Sequence, residues 1–225
     1  MPETRSLFEN IANVYDPLNS LFSLGMHKKW KSRLVRNFLL SNTLLDIATG
    51  TSDVSIEFIK QNRSAYAYGI DPSLNMLLKS MDKIEKLNYI NKIHLINGYA
   101  EQLPFSDESF DAVSISFGIR NTVDPVGSLK EMYRVLKPGG KVGILEFSLS
   151  VNKLFGPVYM YYLNYFFPLI GSLLGVKEEY KYLGDSISKF PDRDKFIKLM
   201  QQSGFKKSLF FELNIGTVIL YLGRK

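Results

Sequence analysis

The 225-residue chain contains no cysteine, two histidines and one tryptophan. Without cysteine it has no disulfides, zinc–thiolate centres or iron–sulfur clusters, and it has no thiolate nucleophile. His27 and His94 are the only imidazoles, which argues against a multi-histidine metal site. We therefore expect chemistry that needs no metal held by the protein.

The first five residues, Met-Pro-Glu-Thr-Arg, also lack the apolar stretch of a secretory signal. A long uncharged run occurs later, where residues 154–176 make 23 consecutive positions without a charge, enough to span a bilayer. Two prolines, three glycines, one asparagine and four tyrosines in this run are a poor composition for a lipid-exposed helix. We expect a buried or interfacial helical insertion and a cytoplasmic protein, peripheral at the inner face of the membrane if it docks there.

What is present is the composition of an ordinary globular chain, with 45% hydrophobic and 22% charged residues, and the length suits one domain with an elaboration. The net charge of +6 is uneven. Residues 1–40 carry +3, residues 41–150 carry −2 and residues 151–225 carry +5. The basic residues are scattered rather than gathered in a stripe, so a solvated face or an anionic membrane surface fits better than nucleic acid.

Hydrophobic periodicity divides the chain into four segments. Residues 1–42 read as a helical cap, with Trp30, Leu34 and Phe38 on one helical face and a break at Tyr15-Asp16-Pro17. Residues 43–150 alternate strand-like and helical patterns. Residues 151–190 contain the apolar insertion, interpreted as a substrate lid. Residues 191–225 read as a closing helix and a β-hairpin around Asn214-Ile215-Gly216.

The alternation in residues 43–150 decides the fold class. Short apolar runs are separated by amphipathic stretches, as expected of crossover units around a parallel sheet buried on both faces. The prediction is a doubly wound, mostly parallel α/β fold. The strand-like runs are 43–48, 66–70, 93–96, 112–116 and 141–147, and the helical ones are 53–59, 73–87 and 125–136.

The turn after the first strand carries the clearest ligand signal. Gly50 lies where a strand passes into a helix, so a ligand could approach free backbone N–H groups. Asp71 ends the next strand, in register to accept hydrogen bonds from both hydroxyls of a ribose. The alternative for Asp71 is an ordinary helix N-cap, because a helical stretch begins after it.

The turn lacks the three glycines of a dinucleotide site, and Asp46 before it would repel a pyrophosphate. Two carboxylates, Asp46 and Asp71, instead suit the ammonium and sulfonium charges of S-adenosylmethionine. Residues 97–101 and 114–118 follow the third and fourth strands. They should converge with Gly50 on one rim of the sheet, because ligands in such folds bind at the carboxyl ends of the strands.

At this point the sequence resembles class I S-adenosylmethionine methyltransferases, and more specifically the ubiquinone/menaquinone-biosynthesis C-methyltransferase family. The resemblance covers nearly the whole chain, and its most specific part is Phe-Gly-Ile-Arg-Asn at 117–121. The segments that carry it are Asp46-x-Ala-x-Gly-Thr, Ala100-Glu-x-Leu-Pro-Phe, Lys137-Pro-Gly-Gly, Phe8-x-x-Ile-Ala-x-x-Tyr-Asp-x-Leu-Asn, Gly25-x-His-x-x-Trp, Leu145-Glu-Phe-Ser, Tyr182-Leu-x-x-Ser-Ile and Phe190-Pro.

The resemblance implies a Rossmann-like sheet of seven strands with an antiparallel last strand. It also implies S-adenosylmethionine as cofactor, with contacts at Thr51, Asp71, Tyr99, Ala100 and Ser116. The implied substrate is a polyprenyl hydroquinone, methylated at a ring carbon in respiratory quinone biosynthesis. Both demethylmenaquinol and a methoxy-polyprenylbenzoquinol remain open as the acceptor.

Such a reaction needs an electron-rich ring, best supplied as a phenolate, although a phenol is mostly protonated at neutral pH. Arg120 is the candidate that holds the phenolate oxygen, and Asn121 the one that orients the ring. Arginine stays protonated, so a water or one of Tyr15, Asp16 and His27 would take the proton. The alternatives are a salt bridge of Arg120 to Asp124 or Glu146, helix termination at Tyr15-Asp16 and an exposed helical position for His27.

Two departures from the family pattern stand out, since Thr49 and Ser52 replace glycines at the first turn. They predict a tighter turn or weaker cofactor binding. In the insertion, Phe155, Tyr159, Tyr162 and Phe166 recur at helical spacing, either as core or as a wall for the prenyl tail beside a transient membrane contact.

Competing functions are methylation of a sterol or phospholipid, a nicotinamide oxidoreductase and a non-catalytic lipid-binding protein. Arg120-Asn121 and the uncharged insertion argue for a quinol over another lipid. The missing glycines and Asp46 argue against a nicotinamide cofactor. Both a monomer and a homo-oligomer are compatible with the sequence.

Overall fold

The helical cap comes first in the computed structural model of the chain, which describes residues 2–12, 14–149, 161 and 177–225. The cap consists of α1 (Pro2–Ile11), α2 (Tyr15–Phe22) and α3 (Met26–Val35), followed by a 3₁₀ turn. The predicted break at Tyr15-Asp16-Pro17 is displaced, because α2 begins at Tyr15 and the chain turns just before it. Pro17 is accommodated in the first helical turn, where its missing N–H has no intrahelical partner to lose.

The predicted doubly wound sheet is confirmed, with seven strands in the order β3-β2-β1-β4-β5-β7-β6. Neighbours from β3 to β5 are parallel, whereas β7 runs antiparallel to both β5 and β6, so the C-terminal hairpin closes one edge. The strands are β1 (Thr43–Ile47), β2 (Tyr66–Asp71), β3 (Ile93–Asn97), β4 (Phe110–Ser116), β5 (Leu136–Phe147), β6 (Lys206–Leu213) and β7 (Val218–Arg224).

Helices cover both faces of the sheet, as the continuous apolar strands predicted. Adjacent residues of β1 show this, because Leu44 packs with the cluster around Trp30 on one face and Leu45 packs with the cluster around Met132 on the other. The remaining helices are α4 (Asp53–Gln61), α5 (Leu74–Lys86), α6 (Pro125–Val135), α7 (Lys177–Lys189) and α8 (Arg193–Gln202).

The cap is fixed to the sheet by close packing at Gly143 in β5. A Cβ atom there would lie 2.4 Å from Leu34 Cδ1 and 2.7 Å from Phe38 Cζ, so only a glycine lets α3 and the 3₁₀ turn rest on the strand. Leu34 and Phe38 are fully buried, and Trp30 is nearly so, which confirms the predicted apolar face of this helix. This packing therefore fixes α3 and the 3₁₀ turn against one face of the sheet.

The position of the site follows from this topology. Strand order runs outward from β1 to β3 on one side and from β4 to β5 on the other, so a crevice opens where β1 and β4 meet. In the part of the chain that the structure describes, no helix is both long and apolar enough to cross a membrane. Of the predicted insertion at 151–190, residues 151–160 and 162–176 lie outside the described residues, and with them the aromatic run at Phe155, Tyr159, Tyr162 and Phe166.

Candidate functional site

A cavity at the carboxyl ends of β1, β2 and β4, here called the strand-edge cavity, has about 820 Å³ of space between its walls, part of it open to solvent. Phe8 and Tyr15 of the cap form part of its wall, opposite the strand ends. The predicted cofactor residues found together in the same wall are Gly50, Asp71, Tyr99, Ala100 and Ser116.

Asp71 and Gly50 form one edge of this cavity. The Gly50 N–H donates to Asp71 Oδ2 at 2.8 Å and the Ser73 N–H donates to Oδ1 at 2.9 Å. Gly50 has φ +54°, the left-handed conformation that glycine adopts at little cost. Each carboxylate oxygen keeps a second acceptor direction, so two ligand hydroxyls can still bind. The N-cap of α5 is Ser73 rather than Asp71.

Burial raises the pKa of Asp71 to about 6, and the nearby charge of Asp46 acts in the same direction. The two backbone N–H groups oppose this rise by stabilising the carboxylate. A hydroxyl-rich ligand that donates to the carboxylate would favour the ionised form. The Asp71 carboxylate should therefore bind such a ligand more strongly above pH 6 than below it.

Ser116 contributes an incomplete polar group to the same wall. Its Oγ is enclosed and forms no hydrogen bond within the described part of the chain. A buried hydroxyl left unpaired costs free energy, so such atoms in folded proteins usually have a partner. A ligand in the strand-edge cavity would supply that partner.

Asp46 does not line the strand-edge cavity, and its predicted contact with the cofactor stays a prediction. Its Oδ2 accepts hydrogen bonds from Thr49 and Ser55, at 2.7 and 3.1 Å, and its Oδ1 accepts one from Ser114 at 2.8 Å. Burial raises the pKa of Asp46, and these three hydroxyls act against that rise. The carboxylate thus holds the first turn together from behind the cavity wall.

Thr49 and Ser52, which replace glycines of the family pattern, take part in this buried network. Thr49 Oγ1 lies 3.3 Å from Ser52 Oγ, and Ser52 in turn contacts Ser80 Oγ. Ser52 has φ +61°, a left-handed conformation that glycine adopts at less cost. Neither side chain lines the strand-edge cavity, and the added bulk lies away from any ligand there.

Thr51 and Asp16 also lie outside the lining of the strand-edge cavity, and their predicted roles in cofactor contact and proton transfer stay predictions. The Thr51 hydroxyl donates to Asp16 Oδ1 at 2.6 Å, and Lys83 Nζ lies 2.8 Å from Asp16 Oδ2. Lys83 also pairs with Asp53, at 2.6 Å, and Lys31 with the same carboxylate at 2.8 Å. This charge cluster joins α2, α3, α4 and α5 and so fixes the cap to the core.

The electrostatics of the cluster are strong. Although burial favours its neutral form, the charges of Lys31 and Lys83 hold the pKa of Asp53 below its ordinary value. Burial likewise opposes the charge of Lys31, yet Asp53 raises the pKa of that lysine. Asp53 and Lys31 are therefore both charged at neutral pH.

A second cavity, here called the cap cavity, lies beneath the helical cap and shares Phe8, Tyr15 and Phe117 with the strand-edge cavity. It is larger, with about 1480 Å³ of space, and its wall is mainly apolar. The cap, α7 and the connection between β6 and β7 all contribute to it. Its apolar side chains include Ile11, Leu18, Phe22, Leu24, Met26, Trp30, Phe147, Leu183 and Ile187.

Arg120 lies in the wall of the cap cavity but is firmly held by protein groups. Its Nη1 donates to both carboxylate oxygens of Glu146, at 3.1 and 2.9 Å, and to the Phe117 carbonyl at 2.6 Å. Both side chains are buried, at 5% and 0% exposure. Burial raises the pKa of Glu146 and the Arg120 charge opposes that rise. The sequence left Arg120 either as a contact to the phenolate oxygen or as a partner in a salt bridge, and the structure contains the salt bridge, to Glu146.

His27 lies in the same wall with a defined tautomer. The single hydroxyl proton of Ser23 is donated to the Asn19 carbonyl at 2.5 Å, so Ser23 Oγ accepts a hydrogen bond from His27 Nδ1–H at 2.7 Å. This leaves a lone pair on Nε2. Burial lowers the pKa of His27 and the neighbouring Lys31 lowers it further, so the ring is neutral at pH 7. A neutral imidazole with a free Nε2 is a proton acceptor.

The two cavities meet at Tyr15 and Phe117. Asn121 lines the strand-edge cavity, and its Oδ1 accepts a hydrogen bond from the hydroxyl of Tyr182, a cap-cavity residue, at 3.1 Å. Of the predicted catalytic residues, Tyr15 therefore contacts both cavities, Arg120 and His27 the cap cavity, and Asn121 the strand-edge cavity. Asp16 contacts neither.

Sequence reasoning assigned no role to Phe8, Phe117 and Tyr182, which line the cavities. All three belong to segments on which the family resemblance rests, and that was the available signal. Their functions come from tertiary neighbours far away in sequence. Periodicity alone does not specify such neighbours.

Comparison with known proteins identifies the family. Residues 3–225 match the model of the ubiE/COQ5 methyltransferase family. The "Ubiquinone/menaquinone biosynthesis C-methyltransferase UbiE" of Geotalea daltonii is 40% identical over 224 residues, which are 98% of this chain and 95% of that protein. The "Demethylmenaquinone methyltransferase" of Staphylococcus haemolyticus is 39% identical over 227 residues, covering 99% and 94%.

Solved structures support the fold. A SAM-dependent methyltransferase from Thermotoga maritima has a TM-score of 0.71 at 20% identity over 99% of both chains. The [4+2]-cyclase SpnF has a TM-score of 0.66 at 15% identity, covering 86% of this chain and 79% of that one. A methyltransferase and a cyclase on one fold illustrate why the site must support any assignment of activity.

Proposed function

The chain belongs to the ubiE/COQ5 methyltransferase family, and from this premise we propose that it is an S-adenosylmethionine-dependent C-methyltransferase that acts on a polyprenylated hydroquinone in respiratory quinone biosynthesis. The acceptors named in its relatives are the basis for the substrate class. The candidates are demethylmenaquinol and 2-polyprenyl-6-methoxybenzoquinol. The observation that carries the proposal is the pair of cavities that share Phe8, Tyr15 and Phe117. The strand-edge cavity suits the cofactor, and the cap cavity suits an apolar acceptor.

The residues of the strand-edge cavity fit S-adenosylmethionine. Asp71 can accept hydrogen bonds from two ribose hydroxyls, and the enclosed Ser116 Oγ has no partner among described residues, so a ligand could satisfy it. Tyr99 and Ala100 offer a surface for the adenine. When bound, S-adenosylmethionine supplies an electrophilic methyl group on a sulfonium.

The cap cavity fits a hydroquinone with a prenyl tail. Its apolar walls can bury the tail, while Tyr182, His27 and Arg120 bring polar atoms to the ring end. In our proposal His27 Nε2 takes the phenolic proton, and the resulting phenolate places electron density on the ring carbon that accepts the methyl group. The ring carbon then gives up its proton to water, which restores the aromatic ring, and the phenol regains its proton from His27. Arg120, held by Glu146, contributes positive charge near the phenolate oxygen.

Positioning supplies the rest of the acceleration. A ring carbon and a methyl group must be brought to about 3–3.5 Å in line, and such orientation can contribute much of the rate enhancement. Tyr15 and Phe117 lie at the junction of the cavities and can orient the ring toward the cofactor. Asn121 is fixed by Tyr182 and can act with them.

Anaerobic turnover with methyl-labelled S-adenosylmethionine tests the proposal. Purified protein should transfer one labelled methyl group to a ring carbon of a reduced demethylmenaquinone or methoxy-polyprenylbenzoquinone, detected by mass spectrometry of the extracted quinone. The oxidised quinones should not react, because they lack the phenol. Labelling of a sterol or phospholipid instead, or calorimetric binding of NADH in place of S-adenosylmethionine, would refute it.

A further inference from the structure

The connection between α2 and α3 presents apolar side chains to solvent. Residues 21–29, here called the α2–α3 corner, contain Leu21 at 50% exposure and Leu24 at 85%. Single exposed leucines are common on protein surfaces. Here the more exposed of the two, Leu24, also lines the cap cavity together with its neighbour Phe22.

The backbone at Leu24 makes this exposure more informative. The Gly25 N–H donates to the Ser20 carbonyl at 2.8 Å and the Leu24 N–H donates to the Leu21 carbonyl at 3.2 Å. This pair of bonds is the Schellman ending of a helix, in which the residue at Leu24 takes the left-handed conformation and is usually glycine. Leu24 has φ +49°. A leucine in this left-handed conformation costs backbone strain, and because the side chain is exposed to water it gains little packing in return.

The charge around the corner is of one sign. Residues 17–40 contain five basic residues and no acidic residue. Lys28 and Lys29 follow the corner directly and are exposed, as are Arg33 and Arg36 further along. Apolar tips flanked by lysines complement a bilayer with anionic headgroups, where the leucines enter the interface and the ammonium groups remain at its surface.

We propose that the α2–α3 corner docks this protein on an anionic membrane surface, with Leu21 and Leu24 in the lipid interface and Lys28 and Lys29 on the headgroups. The mouth of the cap cavity then faces the bilayer, from which a prenylated acceptor can enter with its tail still in lipid. This inference deepens the proposed function and rests on it for the identity of the acceptor. The contact with lipid itself can be measured without any turnover.

Vesicle flotation with the full chain tests the docking. Wild-type protein should partition onto vesicles of equal parts phosphatidylcholine and phosphatidylglycerol and much less onto phosphatidylcholine alone. Leu24→Gly should reduce partitioning about ten-fold, the effect of removing one interfacial leucine. It should leave the thermal midpoint unchanged or raised, because glycine relieves the left-handed strain. Lys28→Glu with Lys29→Glu should reduce partitioning by at least ten-fold and abolish the preference for anionic lipid.

Matched controls distinguish a lipid contact at the α2–α3 corner from nonspecific binding to vesicles. Leu40→Gly removes a leucine that is 94% exposed in another turn, and Lys86→Glu reverses an exposed charge on α5. Both should partition like the wild type. Equal losses in the control and corner variants would overturn the proposal. So would a change of oligomeric mass in Leu24→Gly with partitioning intact, because the corner would then contact a second copy.

A short-tailed, water-soluble quinol distinguishes failure of docking from failure of the proposed function. Methyl transfer to that quinol without vesicle binding would disprove docking alone. Vesicle binding through the corner without methyl transfer to any quinol would disprove the proposed function and leave the docking surface in place.

Discussion

Ser114 and Ser116 lie two residues apart on β4 and have opposite environments. Ser114 donates to the buried carboxylate of Asp46, whereas Ser116 Oγ is enclosed without a partner among the described residues. A hydroxyl that serves the fold is satisfied in the ligand-free protein. A hydroxyl that serves a ligand can remain unpaired until the ligand binds.

We therefore expect Ser116→Ala to leave the free energy of unfolding unchanged, or to raise it by up to about 1 kcal/mol, and to weaken S-adenosylmethionine binding about five- to ten-fold. Ser114→Ala is the matched control, which should lower the free energy of unfolding by about 1–3 kcal/mol because Asp46 loses a donor. Urea denaturation and calorimetry measure the two quantities. Equal destabilisation by both substitutions would contradict a ligand role for Ser116.

His27 gives a prediction in pH. The neutral imidazole of His27 is the active form, and burial holds its pKa below the ordinary value of 6.5. The turnover rate should therefore be maximal at neutral pH and should fall as the pH drops through that lowered pKa. His27→Gln should reduce kcat by about 10²- to 10⁴-fold and remove this acidic limb. Ser23→Ala, which frees the tautomer, should give a smaller loss. If His27→Gln kept the wild-type turnover rate and the same fall in rate at acidic pH, His27 would be excluded as the base.

Among elements, the ends of β4 and β5 are joined by the Arg120–Glu146 pair. The 3₁₀ turn after β4 carries the arginine, and the penultimate residue of β5 carries the glutamate. Their charges are almost wholly buried, so either one alone would be left uncompensated in a low-dielectric environment. The pair therefore has a structural role whatever Arg120 does to substrate.

Arg120→Ala should consequently lower the free energy of unfolding by about 3–5 kcal/mol, measured by urea denaturation. Loss of turnover in that variant alone is ambiguous. Arg120→Met combined with Glu146→Leu removes both charges and should recover most of the stability. We expect the double variant to remain poorly active, because Arg120 lines the cap cavity. Recovery of turnover together with stability would remove Arg120 from the mechanism.

On the scale of the whole molecule, the cap and the sheet build the strand-edge cavity together. Phe8 and Tyr15 contribute from the cap, while Gly50, Asp71 and Ser116 contribute from the sheet. The charge cluster around Asp53 and the packing at Gly143 hold the two layers in place. A ligand between them should therefore stabilise both.

S-adenosylmethionine at one hundred times its Kd should raise the free energy of unfolding by about 2.7 kcal/mol. It should also slow amide hydrogen exchange in α1 and α2, far from the strand ends in sequence. The edge strand β6 serves as an internal control whose exchange should not change. Protection limited to the sheet would show that the cap takes no part in binding.

The sequence by itself determined the class of fold, the order of its elements and the family. Apolar runs and helical periods predicted the strands to within two residues at each end, because local propensity and burial act on neighbouring positions. The exception is β5, which begins at Leu136, five residues before its predicted start. Asp71 and Gly50 were also accessible to sequence reasoning, since strand ends in a parallel sheet must share an edge. The family motifs then indicated a methyl-transfer reaction.

Only the tertiary structure decided which polar side chains contact the cavities. In sequence, Asp46 was paired with Asp71 as a cofactor contact and Asp16 was a candidate proton acceptor. In the structure, three hydroxyls surround Asp46, and a lysine and a threonine bind Asp16. The tautomer of His27 and the partner of Arg120 likewise depend on residues brought near by folding. Hydrogen bonds act over about 3 Å, and a linear pattern does not contain such distances.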